Sequence, residues 1–415
     1  MLALWVLAFV WLTYLVIYTI QTYNTGVPGP WYTNLTSLVL KYHEFTKHRR
    51  LWIHRLHQQY GPVHSQRKKL FAEKYAMTNV INSQVIEGIQ QRALSVIRKC
   101  EASLGSYLDV YVTLHCYALD CASHFLFNPN GTDTLNNEND FKLVQELSYH
   151  DSIKQRFIQY YWPVVNILLP LFSSKSIPLS KKYVLDCAYD PQPNEASLMS
   201  KLQSKSSDLL TIQMAAECMD HMAAGIDTTG DGLCFLMYEM SLPRSQHIQE
   251  CLRQEIIQNP NAKLDELPYL DAVIKEGLRL FPPIPMSLPR YVPKNGRTIC
   301  GYELSEGTIV SCQAYSLHLL NEDVYPNAES FIPKRWLNKE NELDRNRLFF
   351  AFASGGRGCI GKNLAMVEMK TLIRNVYGMF RTSVAPEMKG DMAIDDQIIA
   401  SRPKDQTCLL MFEKI

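Results

Sequence analysis

The 415-residue chain is 47% hydrophobic and 20% charged, with a formal net charge of +1. That is a globular composition with a sizeable core, and the near-balanced charge argues against nucleic acid as a partner. No Gly-rich, Ser-rich or single-charge run divides the chain and no repeat recurs, so one large domain is expected.

The N-terminus stands apart. Residues 1–20 (MLALWVLAFVWLTYLVIYTI) carry no charged side chain, and the first charge in the chain is Lys41. About 20 apolar residues match the thickness of a bilayer core. A cleaved signal peptide would show a basic start and an A-x-A site, and neither is present. A transmembrane anchor is therefore expected over 1–21, a Pro-containing hinge with the stiff turn 27-VPGP-30 over 22–40, and the folded domain over 41–415. Lys41, Lys47, Arg49, Arg50 and Arg55 stand against one acid, Glu44, which by the positive-inside rule puts the domain in the cytosol. The sequons at Asn34 and Asn130 would be silent there.

Helical patterns dominate the rest of the chain. Residues 41–59 are amphipathic, with Trp52 and Leu56 at helical spacing. Residues 208–240 form a very long, mostly apolar segment. Residues 268–280 read as a compact helix opened by Pro268 and stopped by Pro282 and Pro283. A further helix is predicted over 362–380, after Gly361. Strand-like patches are short: 298–304, 308–315 and 407–415. The fold class is mostly α with a small β part. Eleven scattered cysteines without a C-x-x-C indicate reduced thiols rather than a disulfide framework or a zinc cluster.

The stretch 355-GGRGCIGKN-363 has two possible readings. As a phosphate-binding loop it would run from Gly356 to Lys362. Asn363 stands where the magnesium-holding hydroxyl belongs, and 348-LFFAFAS-354 is not a β-branched strand. As a thiolate loop every residue has a use. Gly355, Gly358 and Gly361 permit tight turns and the close approach of a flat ligand. Cys359 lies just before a helix N-terminus, whose partial charge favours a thiolate. Arg357 can pair with an anionic group on the ligand's rim, and Phe352 can pack under its ring.

The pattern 352-FASGGRGCIG-361 resembles the heme-thiolate loop of cytochromes P-450, in which a Cys thiolate is the axial ligand of heme iron. In 223-AAGIDTTGDG-232, Ala224, Gly225, Asp227, Thr228 and Thr229 match the family's oxygen-binding helix. The resemblance implies that Thr228 hydrogen-bonds the dioxygen and that Asp227 feeds protons for O–O cleavage. The glycines there have a second reading as close helix packing. By the same resemblance Glu276 and Arg279 of 276-EGLR-279 and Arg335 of 331-FIPKRW-336 form a buried ionic triad behind the heme loop, with a structural role. Arg290 matches a propionate-binding arginine. His64 and Arg67, in 64-HSQRKKL-70, match the family's basic helix loosely, with a solvated basic helix as the rival. Ala365 and Glu368 continue A-x-x-E after the cysteine. The other histidines, His221 included, are expected to be ordinary surface or core residues rather than ligands, and the stripe Met214, Met219 and Met222 is expected to be helix packing.

The resemblance has a break at Val63–His64, where 60-YGPV-63 runs straight into the basic helix and several dozen family residues are missing. Fungal microsomal members are the closest in pattern. The resemblance implies a monooxygenase in the endoplasmic reticulum membrane carrying heme b (iron protoporphyrin IX). It would take electrons from NADPH-cytochrome P-450 reductase, with cytochrome b5 as a second donor, and oxidise a lipophilic small molecule in secondary metabolism or xenobiotic oxidation. Lys68, Lys69 and Lys362 are candidate reductase-docking cations. Pocket candidates are Ala223, Ala224, residues 283–287 and residues 398–401. Two other functions compete: a heme-thiolate isomerase or dehydratase that needs no electrons, and an inactive truncated heme binder.

Overall fold

The computed structural model describes residues 68–148, 177–204, 209–395 and 400–415. The chain divides into two compact units, Met1–Glu73 and Lys74–Ile415. Of the first, the described part is a helical turn over 68–71 and the two residues after it. The anchor, the hinge, the 41–59 helix, His64, Arg67 and the junction at Val63–His64 all lie outside the described residues. Among the described residues no helix is long and apolar enough to cross a membrane.

The second unit is mostly helical, as expected. Its helices are α1 (Met77–Val80), α2 (Ser83–Ala102), α3 (Val110–Phe127), α4 (Glu138–Ser148), α5 (Leu179–Ala188), α6 (Leu198–Gln203), α7 (Thr211–Ser241), α8 (Gln246–Gln258), α9 (Pro268–Leu280), α10 (Ala314–Leu319), α11 (Glu342–Leu348) and α12 (Lys362–Met379). The strands are short: β1 (Tyr107–Asp109), β2 (Ser287–Tyr291), β3 (Arg297–Ile299), β4 (Tyr302–Leu304), β5 (Ile309–Gln313), β6 (Phe380–Val384), β7 (Ile394–Asp395), β8 (Arg402–Pro403) and β9 (Leu409–Lys414).

The 31-residue helix α7 is the axis of the core. It packs most extensively on α3, and Leu114, Tyr117, Ala118 and Cys121 of α3 are buried with Ile226, Leu233, Cys234 and Leu236 of α7. Its second half, from Thr229 to Ser241, is buried almost throughout, which is stable only when other elements surround it. Asp109 starts α3: its carboxylate accepts the Tyr111 amide at 3.0 Å and also takes the Cys408 amide at 3.0 Å, which ties the helix start to the approach of β9. The start of α9 is met from outside, where Glu255 of α8 accepts the Tyr269 and Leu270 amides at 2.7 and 2.8 Å.

Strands β1, β9 and β6 form one antiparallel sheet in that order, with Asp109 opposite Leu409 and Val384 opposite Leu410. The pairs β2/β5, β3/β4 and β7/β8 are separate two-stranded ladders. The predicted strand over 298–304 is in fact the hairpin β3/β4. Cys300 and Gly301 take φ values of 51° and 82° at its tip, and two left-handed residues reverse the chain there. Residues 308–315 give β5, and the helix α10 takes over at Ala314.

Candidate active site

Three elements carry the predicted site residues: the loop from α11 to α12, the helix α9 and the middle of α7. In the loop, the Cys359 amide donates to the Phe352 carbonyl at 2.8 Å and the Gly358 amide to the Gly355 carbonyl at 2.9 Å. Of the three glycines, only Gly355 needs a left-handed backbone, at φ 68°. Gly358 serves differently, since a Cβ there would sit 3.2 Å from the Gly355 carbonyl oxygen. Gly361 is the N-cap of α12, and a Cβ there would lie 3.9 Å from the Cys359 Sγ, so it keeps the space beside the sulfur clear. Cys359 is exposed, and none of the eleven cysteines forms a disulfide. Lys362 is exposed at the head of α12, with Nζ 5.8 Å from the centre of the Phe352 ring. Arg357 is exposed in the short turn Gly355–Arg357.

The fold brings Glu276, Arg279 and Arg335 together. The Glu276 carboxylate accepts from Arg279 Nε and Nη2, both at 2.9 Å, and from Arg335 Nε at 2.9 Å. It also accepts the Trp336 indole N–H at 2.8 Å and the Ile332 amide at 2.9 Å. The Glu276 and Arg279 side chains are fully buried. A charge can be held there because every lone pair has a donor.

One residue that sequence reasoning placed among ordinary histidines connects this triad to the loop. His318, at the end of α10, is fully buried. Its Nδ1 donates to the Arg279 carbonyl at 2.9 Å, and its Nε2 accepts the Phe350 amide at 2.8 Å. Arg279 in turn donates to the His318 carbonyl at 3.0 Å. The ring lies parallel to Phe349, with centroids 5.8 Å apart. Burial holds the imidazole neutral, with its pKa down to about 4.

In α7 the helix is unbroken across 223–232, so no irregular segment opens it. The glycines serve close packing: a Cβ on Gly225 would meet the Ala122 Cβ at 3.1 Å, and one on Gly230 would meet the His115 ring at 3.0 Å. Ala223 and Ala224 are exposed in the middle of the helix. Thr228 Oγ1 donates to the Ala224 carbonyl at 2.6 Å, while Thr229 Oγ1 points the other way, toward Glu368 Oε2 of α12 at 3.5 Å. Burial lifts the Glu368 carboxyl to about 8. Asp227 is ion-paired to Arg402 of β8 at 3.1 Å, and Arg402 also donates to the Ser148 carbonyl at 3.3 Å. Burial raises the Asp227 pKa despite this partner. A buried carboxylate in this helix is costly without a cation. The cation comes from residue 402, which nothing in the local motif indicates.

The remaining predicted residues lie on other elements. Arg290 is exposed on β2 and donates to the Pro289 carbonyl at 2.8 Å. Pro283 and Pro285 are buried and Ile284 half-buried. Ser401 fastens this segment through its amide to the Pro283 carbonyl at 2.8 Å and its hydroxyl to the Pro282 carbonyl at 2.9 Å. Residues 396–399 lie outside the described residues. His221 shares a hydrogen bond of 2.7 Å with the Tyr75 hydroxyl, and the Tyr75 carbonyl accepts from Asn363 at the head of α12 at 2.9 Å. Met214 and Met222 are core residues.

A family profile described as Cytochrome P450 matches residues 32–409. The chain belongs to the cytochrome P450 family. Among curated relatives, cytochrome P450 monooxygenase ankB of Aspergillus thermomutatus is 31% identical over 309 residues, which covers 68% of this chain and 58% of the relative. Cytochrome P450 monooxygenase hkm5 of Aspergillus hancockii is 29% identical over 269 residues, 59% of this chain and 52% of the relative. The chain thus spans about half the length of several curated relatives it matches. Cytochrome P450 monooxygenase cypX of Dothistroma septosporum is 26% identical over 466 aligned positions, 92% of this chain and 89% of the relative. That alignment is longer than the chain itself, so the relative holds internal residues that this P450 lacks.

A P450 implies a thiolate-ligated heme, and the residues fit it. Among the described residues no group of three or more His, Cys, Asp or Glu could hold a metal ion. Iron at Cys359 would therefore take one protein ligand and its remaining ligands from a macrocycle. The sulfur is exposed, Gly361 leaves it room, and a Cβ on Gly355 or Gly356 would meet nothing within 4 Å.

Proposed function

We infer that this chain is a heme-thiolate monooxygenase that inserts one oxygen atom of O₂ into a lipophilic small molecule. Cys359 would be the axial ligand, with Arg357 and Arg290 as cations for the heme carboxylates and Phe352 and Gly361 lining the sulfur side. When bound, the heme supplies the dioxygen chemistry, with the thiolate pushing electron density toward iron. The protein's share is to hold protons and shape the pocket. Asp227 can hold a proton on Oδ1, which has no protein donor among the described residues, while Oδ2 stays on Arg402. The Thr228 hydroxyl donates to the Ala224 carbonyl, which leaves its oxygen as an acceptor beside that acid.

The carrying observation is the exposed Cys359 thiol, set by Phe352 and Gly361 at the head of α12, in a chain whose other described residues offer no metal cluster. The Asp227–Thr228 pair favours oxygen activation over an electron-independent isomerase. Small and apolar neighbours, Ala223, Ala224, Pro283 and Ile284, suit a lipophilic substrate. Residues 1–21 would anchor the enzyme in the endoplasmic reticulum membrane, with the body in the cytosol beside NADPH-cytochrome P450 reductase and cytochrome b5. Lys68, Lys69 and Lys362 are the docking cations in this reading.

The test is the reduced, carbon-monoxide-bound absorbance spectrum of the full chain beside Cys359→Ala, followed by NADPH and oxygen consumption with added reductase. A red-shifted Soret band that the variant loses, with turnover, is the expected result. Absence of heme would refute the reading and leave a truncated, inert relative.

A further inference from the structure

The middle of α7 carries a second acid that the P450 motif does not include. Asp231 lies four residues after Asp227, which puts both carboxylates on one helix face. Asp231 is fully buried, and neither of its oxygens has a hydrogen-bond donor among the described residues. Its ion-pair partner is His115 of α3, also fully buried, with Nε2 3.4 Å from Oδ1. The imidazole is oriented from its other side, where Nδ1 donates to the Tyr111 carbonyl at 2.7 Å. Gly230 makes room for the ring, since any Cβ at that position would meet it.

The charges in this cluster do not balance without a proton. From α7 come Asp227, Asp231 and Cys234, from α3 His115 and Tyr111, from β8 Arg402, and from α4 Ser148. Burial pushes the Tyr111 phenol and the Cys234 thiol up, so neither adds charge. Arg402 offsets one carboxylate by pairing with Asp227. An uncompensated buried carboxylate is costly, so the cluster retains one further proton. His115 is the group placed to hold it: burial pulls the imidazole down, but the facing Asp231 carboxylate, the Tyr111 carbonyl and Asp227 together outweigh this and the net shift is upward.

We propose that His115, kept protonated by Asp231, is an internal proton reserve for Asp227. The N–H bond at His115 Nε2 breaks and the proton passes through the oxygens of Asp231 to form an O–H bond at Asp227 Oδ1, from which it is delivered. The imidazole is left neutral. After delivery Asp227, whose side chain is 24% exposed, takes a proton from solvent and returns it through Asp231 to His115. The reserve rests on the monooxygenase reading for its use, not for its existence.

Two measurements on the full-length heme protein test it. The first is nuclear magnetic resonance of ¹⁵N-labelled histidine from about pH 6 to about pH 8.5, with His115→Gln to locate the signal. His115 should titrate above the ordinary histidine range in the wild type and shift down in the isosteric Asp231→Asn. The second is hydrogen peroxide released per NADPH consumed with added reductase. In Asp231→Asn it should rise about tenfold toward the alkaline end, because proton delivery fails while heme is retained. A wild-type His115 that titrates at or below the ordinary histidine range overturns the proposal. So does an Asp231→Asn variant with unchanged histidine titration or unchanged peroxide yield. If the chain shows no turnover, the monooxygenase reading fails, and the wild-type histidine signal still decides the reserve.

Discussion

Replacing His318 with Phe should separate the hydrogen bonds of this residue from its bulk. Phe keeps a planar ring against Phe349 but can neither accept the Phe350 amide nor donate to the Arg279 carbonyl, contacts of 2.8 and 2.9 Å. A stranded buried polar group costs about 1–3 kcal/mol. The Phe350 end is only part-buried, so the two losses together come to about 2–4 kcal/mol. The loss should also depend on pH. The His318 pKa is about 4 in the fold against 6.5 unfolded, so the unfolded chain binds more protons between those values. Stability from this group is complete above about pH 6.5 and falls by up to about 3 kcal/mol as pH drops toward about 4. His318→Phe should therefore be less stable than the wild type at neutral pH, and the difference should shrink in acid. Urea denaturation followed by circular dichroism across that range measures it, with the reduced carbon-monoxide spectrum reporting the loop. Equal midpoints at neutral pH, or a difference that stays constant in acid, would refute the reasoning.

Three other outcomes are expected from the geometry. Arg335→Ala leaves Glu276 and Arg279 buried with one cation gone and should destabilise by about 3–5 kcal/mol, read as a lowered urea midpoint with loss of bound heme. Gly230→Ala forces a methyl against the His115 ring and should cost about 1–3 kcal/mol, whereas Ala at the exposed turn residue Gly356, which meets nothing within 4 Å, should leave the midpoint almost unchanged. Ile284→Phe, beside the buried Pro283 and Pro285, should change product regiochemistry once a substrate is found, and unchanged products would remove Ile284 from the pocket.

Much of the architecture near the sulfur could be read along the chain because its determinants are local. Pro268 and the pair Pro282–Pro283 bounded a helix that the fold confirms as Pro268–Leu280. Glu276 and Arg279 sit three apart on that helix, so their pairing is a consequence of helical geometry alone. The loop at Cys359 could be read for the same reason: the positive φ at Gly355 and the crowding at Gly358 favour glycine at fixed offsets from the cysteine.

Chain order could not show which distant side chain offsets each buried group. His318 lies 39 residues from Arg279 and 32 from Phe350, and it reads as an unremarkable histidine until α10 folds between them. Arg402 is 175 residues from Asp227, in a two-residue strand too short to carry a pattern. Asp231 gave a weak signal, a second acid one turn along an apolar helix, but its partner His115 belongs to α3. Helical periodicity, prolines and glycines act within a few residues and leave traces in sequence. The partner of a buried charge is set by which helix packs against which, and that is decided only when α7 closes on α3 and β8.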